Sequence, residues 1–290
     1  MDVFLQLTVA GLSNGMIYAL VASGIVVIYK SSDVINFAQG EFLLFGAYLT
    51  VACITQIGMH WSLGVFMALC LAVLLGIMVE RVVLRPLIGE PVISMIMVTI
   101  GLSSVLRSVV LGVWGPQPRS LPPFIPSGDV HLGTTTIGMD RLVVIGSAAL
   151  LLSGLALFFR YTRDGIALRA VADDQQAALS MGISISRVLA VAWGLAAVCA
   201  AFGGLMVANI VGVSQEIRLV GLTVFPVVIL GGLDSIGGAV LGGAVVGLLE
   251  AYTSGYIGLG LNRVIPFGVL LLVLMVRPYG LFGKERIERV

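Results

Sequence analysis

Apolar runs of up to span length alternate with short polar segments from one end of the chain to the other. The runs fall near residues 3–29, 36–57, 62–79, 92–113, 142–159, 188–210, 219–233, 236–254 and 262–276. Coiled as helix, about 20 apolar residues cross a hydrocarbon core about 30 Å thick. Lipid offers backbone groups no hydrogen-bond partner, so helix is the state such runs adopt. The pattern predicts an all-α, polytopic membrane protein with eight or nine transmembrane helices, the seventh run being short enough to read as re-entrant. Two places break the plain alternation. Residues 30–40 (KSSDVINFAQG, followed by Glu41) and 230–243 (LGGLDSIGGAVLGG) put polar residues and glycine between closely spaced apolar runs. Interrupted helices of this kind often line a cavity, because freed helix ends then face it. Tight turns at the membrane surface give the same pattern.

One polar stretch is longer than a turn. Residues 160–187 (RYTRDGIALRAVADDQQAALSMGISISR) carry four arginines, three aspartates and two adjacent glutamines, and Gly165 and Gly182 bracket a helix-length core. The bias of Lys and Arg sets orientation. Arg81 with Arg85, Arg160 to Arg187, and Arg277 with Lys284, Arg286 and Arg289 all fall on one side under strict alternation, as does Lys30. With that side cytoplasmic, the N-terminus lies outside, the C-terminus inside, and the Pro-, Gly- and Thr-rich segment 114–141 outside. The first run lacks a basic n-region and a small-residue cleavage site, so it reads as a retained span. The whole of 1–290 then reads as one transmembrane domain.

Composition agrees. The chain is 59% hydrophobic and 11% charged, with mean hydropathy +1.10, against about 25% charged residues in soluble domains. A net charge of +1 gives no reason to expect a nucleic-acid partner; the lipid bilayer is the medium. Cys53, Cys70 and Cys199 lie in apolar runs and read as small hydrophobes. Glycines and alanines recur four apart, as in Gly11, Gly15 and Ala19, Ala196, Ala200, Gly204 and Ala208, and Gly243 with Gly247. Such stripes let backbones approach closely, within one chain or between subunits.

Candidate chemistry is sparse. Glu41, Arg107 and Glu250 are the charges placed inside the apolar zone, where an ionised group costs a few kcal/mol unless paired or hydrated. Asn36 and Gln39 sit close enough to Glu41 to share hydrogen bonds, and Asp234 occupies the second interruption. These five, Asn36, Gln39, Glu41, Asp234 and Glu250, are the candidate path residues. His60 and His131 fall in outer loops, far apart in sequence. No paired-His motif, nucleophile elbow or phosphate loop appears, so no catalytic residue, metal site or cofactor is expected, and any use of ATP has to come from a partner.

Three segments carry a resemblance. DVINFAQGEFLLFGAY at 33–48 resembles the early "INFAxGE" signature of branched-chain amino-acid ABC permeases of the H type. LRAVADDQQAALSMGISISR at 168–187 resembles their cytoplasmic loop, and VILGGLDSIGGAVLGGAVVGLLE at 228–250 their late "LGGxGSIxGAxxGGxxxGxxE" segment. The likeness runs from about residue 10 to 282 with the motifs in order. It implies an ABC importer permease in a bacterial inner membrane, paired with a second homologous permease, driven by two cytoplasmic ATPase subunits and fed by a periplasmic substrate-binding protein. Gln176, Ala177 and Ala178, with Gly182 beyond, resemble a relaxed "EAA…G" coupling pattern, and Arg169, Asp173, Asp174 and Arg187 would set its electrostatic fit. Three departures leave the solute open among branched-chain amino acids, amides, urea and aromatic acids. Gln176 stands where many importers carry Glu, Asp234 where glycine is usual, and Val224 and Phe225 where a lysine-containing sequence is common. A stand-alone secondary transporter or channel would use Glu41 and Glu250 as a proton relay but gives no reason for the long polar loop. An intramembrane enzyme lacks any nucleophile and base pair.

Overall fold

A computed structural model describes residues 2–122, 128–132, 135–258, 260–262 and 264–283. Lys284, Arg286 and Arg289, used above for orientation, lie outside the described residues, as does the side chain of His131. The helices are α1 (Asp2–Ser32), α2 (Gln39–Val51), α3 (Trp61–Val79), α4 (Val92–Trp114), α5 (Met139–Tyr161), α6 (Arg163–Asp173), α7 (Gln175–Ser180), α8 (Ile185–Val211), α9 (Val220–Gly231), α10 (Ile236–Tyr256) and α11 (Ile265–Val276). Strands β1 (Asp129–Leu132) and β2 (Thr135–Gly138) pair antiparallel, with Asp129 opposite Gly138, in the loop between α4 and α5.

Six helices are long and apolar enough to cross a membrane: α1, α3 with its extension to Leu87, α4, α5, α8 and α10. The expected passes at 36–57, 219–233 and 262–276 fold as shorter helices, so a count of eight or nine full spans is not reached among the described residues. Local chemistry explains each. In the first, the polar residues up to Ala38 stay out of the helix, and α2 begins only at Gln39 before running into a π-helical turn at Ala52–Gln56. In the second, the 3₁₀ turn Gln215–Leu219 comes first and α9 ends against Gly232, whose φ of +100° a side chain resists. In the third, α11 starts with Pro266 in its first turn and is followed by Pro278. A 12-residue helix is about 18 Å long, short of a full crossing.

The two ends of the bundle are distinct. Gln6 Nε2 donates to Thr136 O at 3.1 Å, so the start of α1 lies at the hairpin end. Arg85 Nη2 reaches Ser186 O at 3.4 Å, so the far end of α3 lies beside the start of α8, at the end that carries α6 and α7. Burial then sorts the helices. The best 18-residue window of α1 is 83% buried and that of α8 72%, against 28%, 22% and 22% for α3, α4 and α5. The first two form the centre and the last three an exposed rim.

Small residues set the closest contacts. A methyl on Gly15 would lie 2.6 Å from Gly243 O, and one on Gly243 would lie 2.5 Å from Gly15 O, so α1 and α10 touch backbone to backbone. Ala196, Ala200 and Ala208 are likewise buried within the chain. For these stripes the glycine pattern serves intramolecular packing. Helix α2 is wedged between α1, α4 and α8 with every residue but Leu49 buried.

Candidate functional site

The start of α2 lies deep in the bundle. Gln39 Nε2 donates to Ala196 O at 3.1 Å and to Val21 O at 3.5 Å. Val21 precedes the end of α1 by 11 residues and Ala196 follows the start of α8 by 11, so this contact sits about 16 Å along each helix. The chain therefore re-enters between Asp33 and Ala38 and begins a new helix inside the membrane zone, which favours an interrupted helix over a surface turn. Asn36 organises the entry. Its Oδ1 accepts from Ala38 N at 3.0 Å and its Nδ2 donates to Gln39 Oε1 at 3.0 Å. Asn36 and Gln39 are 0% and 1% exposed, and the bonds are what make that burial tolerable.

Glu41, in the first turn of α2, pairs with Arg107 of α4. The Nη2 to Oε1 distance is 3.3 Å, and Nε also donates to Oε1 at 3.4 Å. The carboxylate side chain is 5% exposed and the arginine 39%. Both bonds go to one oxygen, and Oε2 is buried with no hydrogen-bond partner among the described residues. The start of α9 meets this point from the other direction. A methyl on Gly221 would lie 2.5 Å from Gly40 Cα, and one on Gly40 the same distance from Arg218 O. The N-terminal ends of two short helices thus converge beside the carboxylate, where their backbone dipoles favour negative charge. Phe37 and Phe225 pack across the same junction with ring centroids 5.0 Å apart and planes tilted by 31°.

Asn36, Gln39 and Glu41 therefore come together; the other two candidates do not join them. Glu250 on α10 accepts from Tyr18 Oη of α1 through Oε2 at 2.6 Å, and both border a cavity of about 580 Å³. The 3₁₀ turn separates that cavity from the trio: Ile217 lines the cavity, while Arg218 O faces Gly40. Asp234 lies in the turn between α9 and α10, at the α6–α7 end, beside a smaller cavity of about 180 Å³ lined also by Tyr29 and Tyr279.

The polar island is two helices rather than one. Asp174 is extended (φ −156°, ψ 108°) and caps α7 by accepting from Ala177 N at 2.9 Å. Thr162 caps α6 in the same way, from Gly165 N at 3.0 Å. An aspartate stabilises a new helix start better than a helix interior, which is why the stretch splits there. Gly182, at φ +82°, follows the end of α7. Arg169, Asp173, Asp174, Gln176, Ala177, Gly182 and Arg187 are exposed. Ala178 is buried instead, grouped with Leu168 and Val171 in a cluster that includes Leu20 and Val27 of α1 and Val188 and Ala192 of α8. Arg187 bridges to Asp164 at 3.0 Å, an exposed pair of small energetic weight.

Sequence reasoning missed several residues. It placed Arg107 at depth but did not join it to Glu41, because the two are 66 positions apart. Tyr18 gave no signal as a single aromatic within a long apolar run. Glu80 was not singled out, yet its side chain is fully buried and bidentate to Arg85, at 3.1 Å and 2.9 Å. The spacing of five between them fits the π-helical turn Glu80–Leu84; an acid and a base flanking an apolar end was the available clue.

Comparison with known proteins bears on all of this. The family described as branched-chain amino acid transport system, permease component, matches residues 7–274. The high-affinity branched-chain amino acid transport system permease protein LivH of Escherichia coli (strain K12) is 32% identical over 302 residues, covering 99% of this chain and 98% of that protein. LivH of Salmonella typhimurium gives the same figures, 32% over 302 residues. BraD of Pseudomonas aeruginosa, with the same descriptive name, is 31% identical over 301 residues, covering 99% and 98%.

Proposed function

The chain belongs to the family of branched-chain amino acid transport permease components, and from that premise we propose that it is the H-type transmembrane subunit of an ATP-driven ABC importer. Its solutes in this reading are leucine, isoleucine, valine or a similar small molecule. The family is one of transport components, not of enzymes. The observation that carries the proposal is similarity over 99% of the chain to permeases named for branched-chain amino acid transport.

The partners follow from the reading: a second homologous permease, two cytoplasmic ATPases and a periplasmic binding protein, in a bacterial inner membrane. The end bearing α6 and α7 faces the cytoplasm, supported by Arg85, Arg163, Arg169 and Arg187 lying at that end. The exposed residues Arg169, Asp173, Asp174, Gln176, Ala177, Gly182 and Arg187 meet the ATPases. Ala178, Leu168 and Val171 pass the movement inward, because they pack directly on α1 and α8. Those two helices hold Gln39 by its side chain, so a shift between them moves the junction of α2 with α9. The trio Asn36, Gln39 and Glu41 then acts as a gate, Glu250 lines the path on the hairpin side of it, and Asp234 lies near the cytoplasmic exit. A stand-alone transporter gives no reason for the exposed helices α6 and α7.

The test is uptake of radiolabelled leucine in cells deleted for this chain and in complemented cells, with and without ATP depletion. Loss, rescue and dependence on ATP are expected. Unchanged uptake on deletion contradicts the leucine assignment and directs the same assay to amides, urea and aromatic acids.

A further inference from the structure

The end of α3 is held by a charge pair that stability alone does not call for. The Glu80 side chain is 0% exposed, more deeply buried than that of Glu41 at 5%. Both its oxygens are met by Arg85, Nε donating to Oε1 at 3.1 Å and Nη2 to Oε2 at 2.9 Å. Two apolar residues in place of such a buried pair are often as stable or more so, since no charge is then taken out of water. What an apolar pair lacks is direction. The fork fixes the plane of the guanidinium, and Nη2 then also points at Ser186 O, 3.4 Å away in the first turn of α8. That bond is long for N–H to O and contributes direction more than energy. It lies beyond a close backbone approach of the same two helices, at Gly76, where a methyl would be 2.5 Å from Trp193 O. Trp193 follows Ser186 by seven residues, about 10 Å along α8. One close approach lets a helix swing about it; a second hold that far away fixes its axis.

We propose that Arg85, locked by Glu80, is a positioning residue that makes α3 follow the first turn of α8, so that a displacement entering at α7 reaches the rim of the bundle as well as its centre. The covalent route is short. Residues 181–184 alone join α7 to α8, and Ile183 among them packs on the cluster that holds Val188 and Ala192 of α8. From Ser186 the tie crosses to Arg85 and passes through Glu80 into the π-helical turn Glu80–Leu84 that ends α3. Such turns recur at functional sites, and this one sets the pair five residues apart at the helix end. The inference rests on the transport reading for what drives the displacement; the tie between α3 and α8 stands without it.

Ile88, exposed just beyond Arg85, and Ser184, exposed at the start of α8 with no side-chain cap bond, are the reporter positions. Ile88→Cys and Ser184→Cys carry spin labels in a Cys70→Ser background, since Cys53 and Cys199 are buried. The complex is taken from its own membrane into nanodiscs, and the distance between the labels is read by pulsed electron resonance with and without ATP and vanadate. One narrow distance, the same in both states, is expected. In Glu80→Leu with Arg85→Met the distribution broadens, while the thermal midpoint stays at or above that of the wild type. Leucine taken up per ATP hydrolysed falls about tenfold in that variant, a usual size for coupling between sites. Arg85→Lys keeps the charge but cannot fork; it also broadens the distribution, and it carries the test where the double variant fails to fold. A wild-type distance that changes with nucleotide, a variant distribution as narrow as the wild type's, or undiminished uptake per ATP in a folded variant overturns the proposal. The distances need no transport, so failure of the importer reading shows separately, as absent ATP-driven uptake in the wild type with the tie intact.

Discussion

Arg107 and Glu41 set the energetics of the buried centre. One carboxylate oxygen takes both arginine bonds while the other is orphaned at 4% residue exposure. Removing the arginine strands a buried negative charge, which costs about 1–3 kcal/mol for an unmet polar group and more for a charged one. Arg107→Met is therefore expected to lower the thermal midpoint of the detergent-solubilised protein. The double variant Glu41→Gln with Arg107→Met recovers part of the loss, because a neutral amide needs no counter-charge. Equal midpoints for wild type and Arg107→Met contradict this account. The polarity of Glu41 could be read from the chain alone, since a carboxylate between apolar runs stands out. Its partner could not, because nothing local ties positions 41 and 107.

Among elements, α7 is the most economical to test. It is six residues long and begins on the Asp174 cap, so its position depends on one side chain far more than a long helix would. Asn caps about as well as Asp, while loss of a cap costs about 1 kcal/mol. Asp174→Asn is expected to keep transport near the wild-type rate if geometry governs the coupling loop. Asp174→Lys, with Asp173→Lys, removes the cap, reverses the charge and is expected to abolish transport with normal membrane levels. Wild-type uptake in the lysine variant removes the coupling role from this loop; loss of uptake in the asparagine variant moves the weight from cap to charge. The adjacent residues explain why the sequence suggested a single helix. The composition of 163–180 is helical throughout, and only the local hydrogen bond of Asp174 interrupts it.

At the scale of the molecule, the alternation of basic segments makes a prediction about sidedness. Val3 is 57% exposed and Tyr279 49%, at opposite ends of the bundle. Val3→Cys is expected to react with a membrane-impermeant maleimide on intact spheroplasts, and Tyr279→Cys only after permeabilisation. The reverse pattern inverts the orientation. Long apolar runs such as 92–113 and 236–254 declared their helices almost to the residue, because a lipid-crossing helix needs only length and apolarity. The short helices were less legible. Helix α2 is apolar enough to pass for a span, but its depth depends on Gln39 finding Val21 and Ala196, which are remote in sequence. The cavity at Glu250 was legible only as one charged residue, for the same reason: its walls come from α1, α8, the 3₁₀ turn, α9, α10 and α11 with its approach.

An ATP-driven path for branched-chain amino acids needs this chain as part of its membrane wall. The direct measurement is leucine accumulation in proteoliposomes containing this chain, its second permease and both ATPases, with the binding protein outside and ATP enclosed on the ATPase side. Accumulation is expected to need ATP hydrolysis and the binding protein and to be lost when this chain is omitted. Accumulation that persists without ATP, or without this chain, contradicts it.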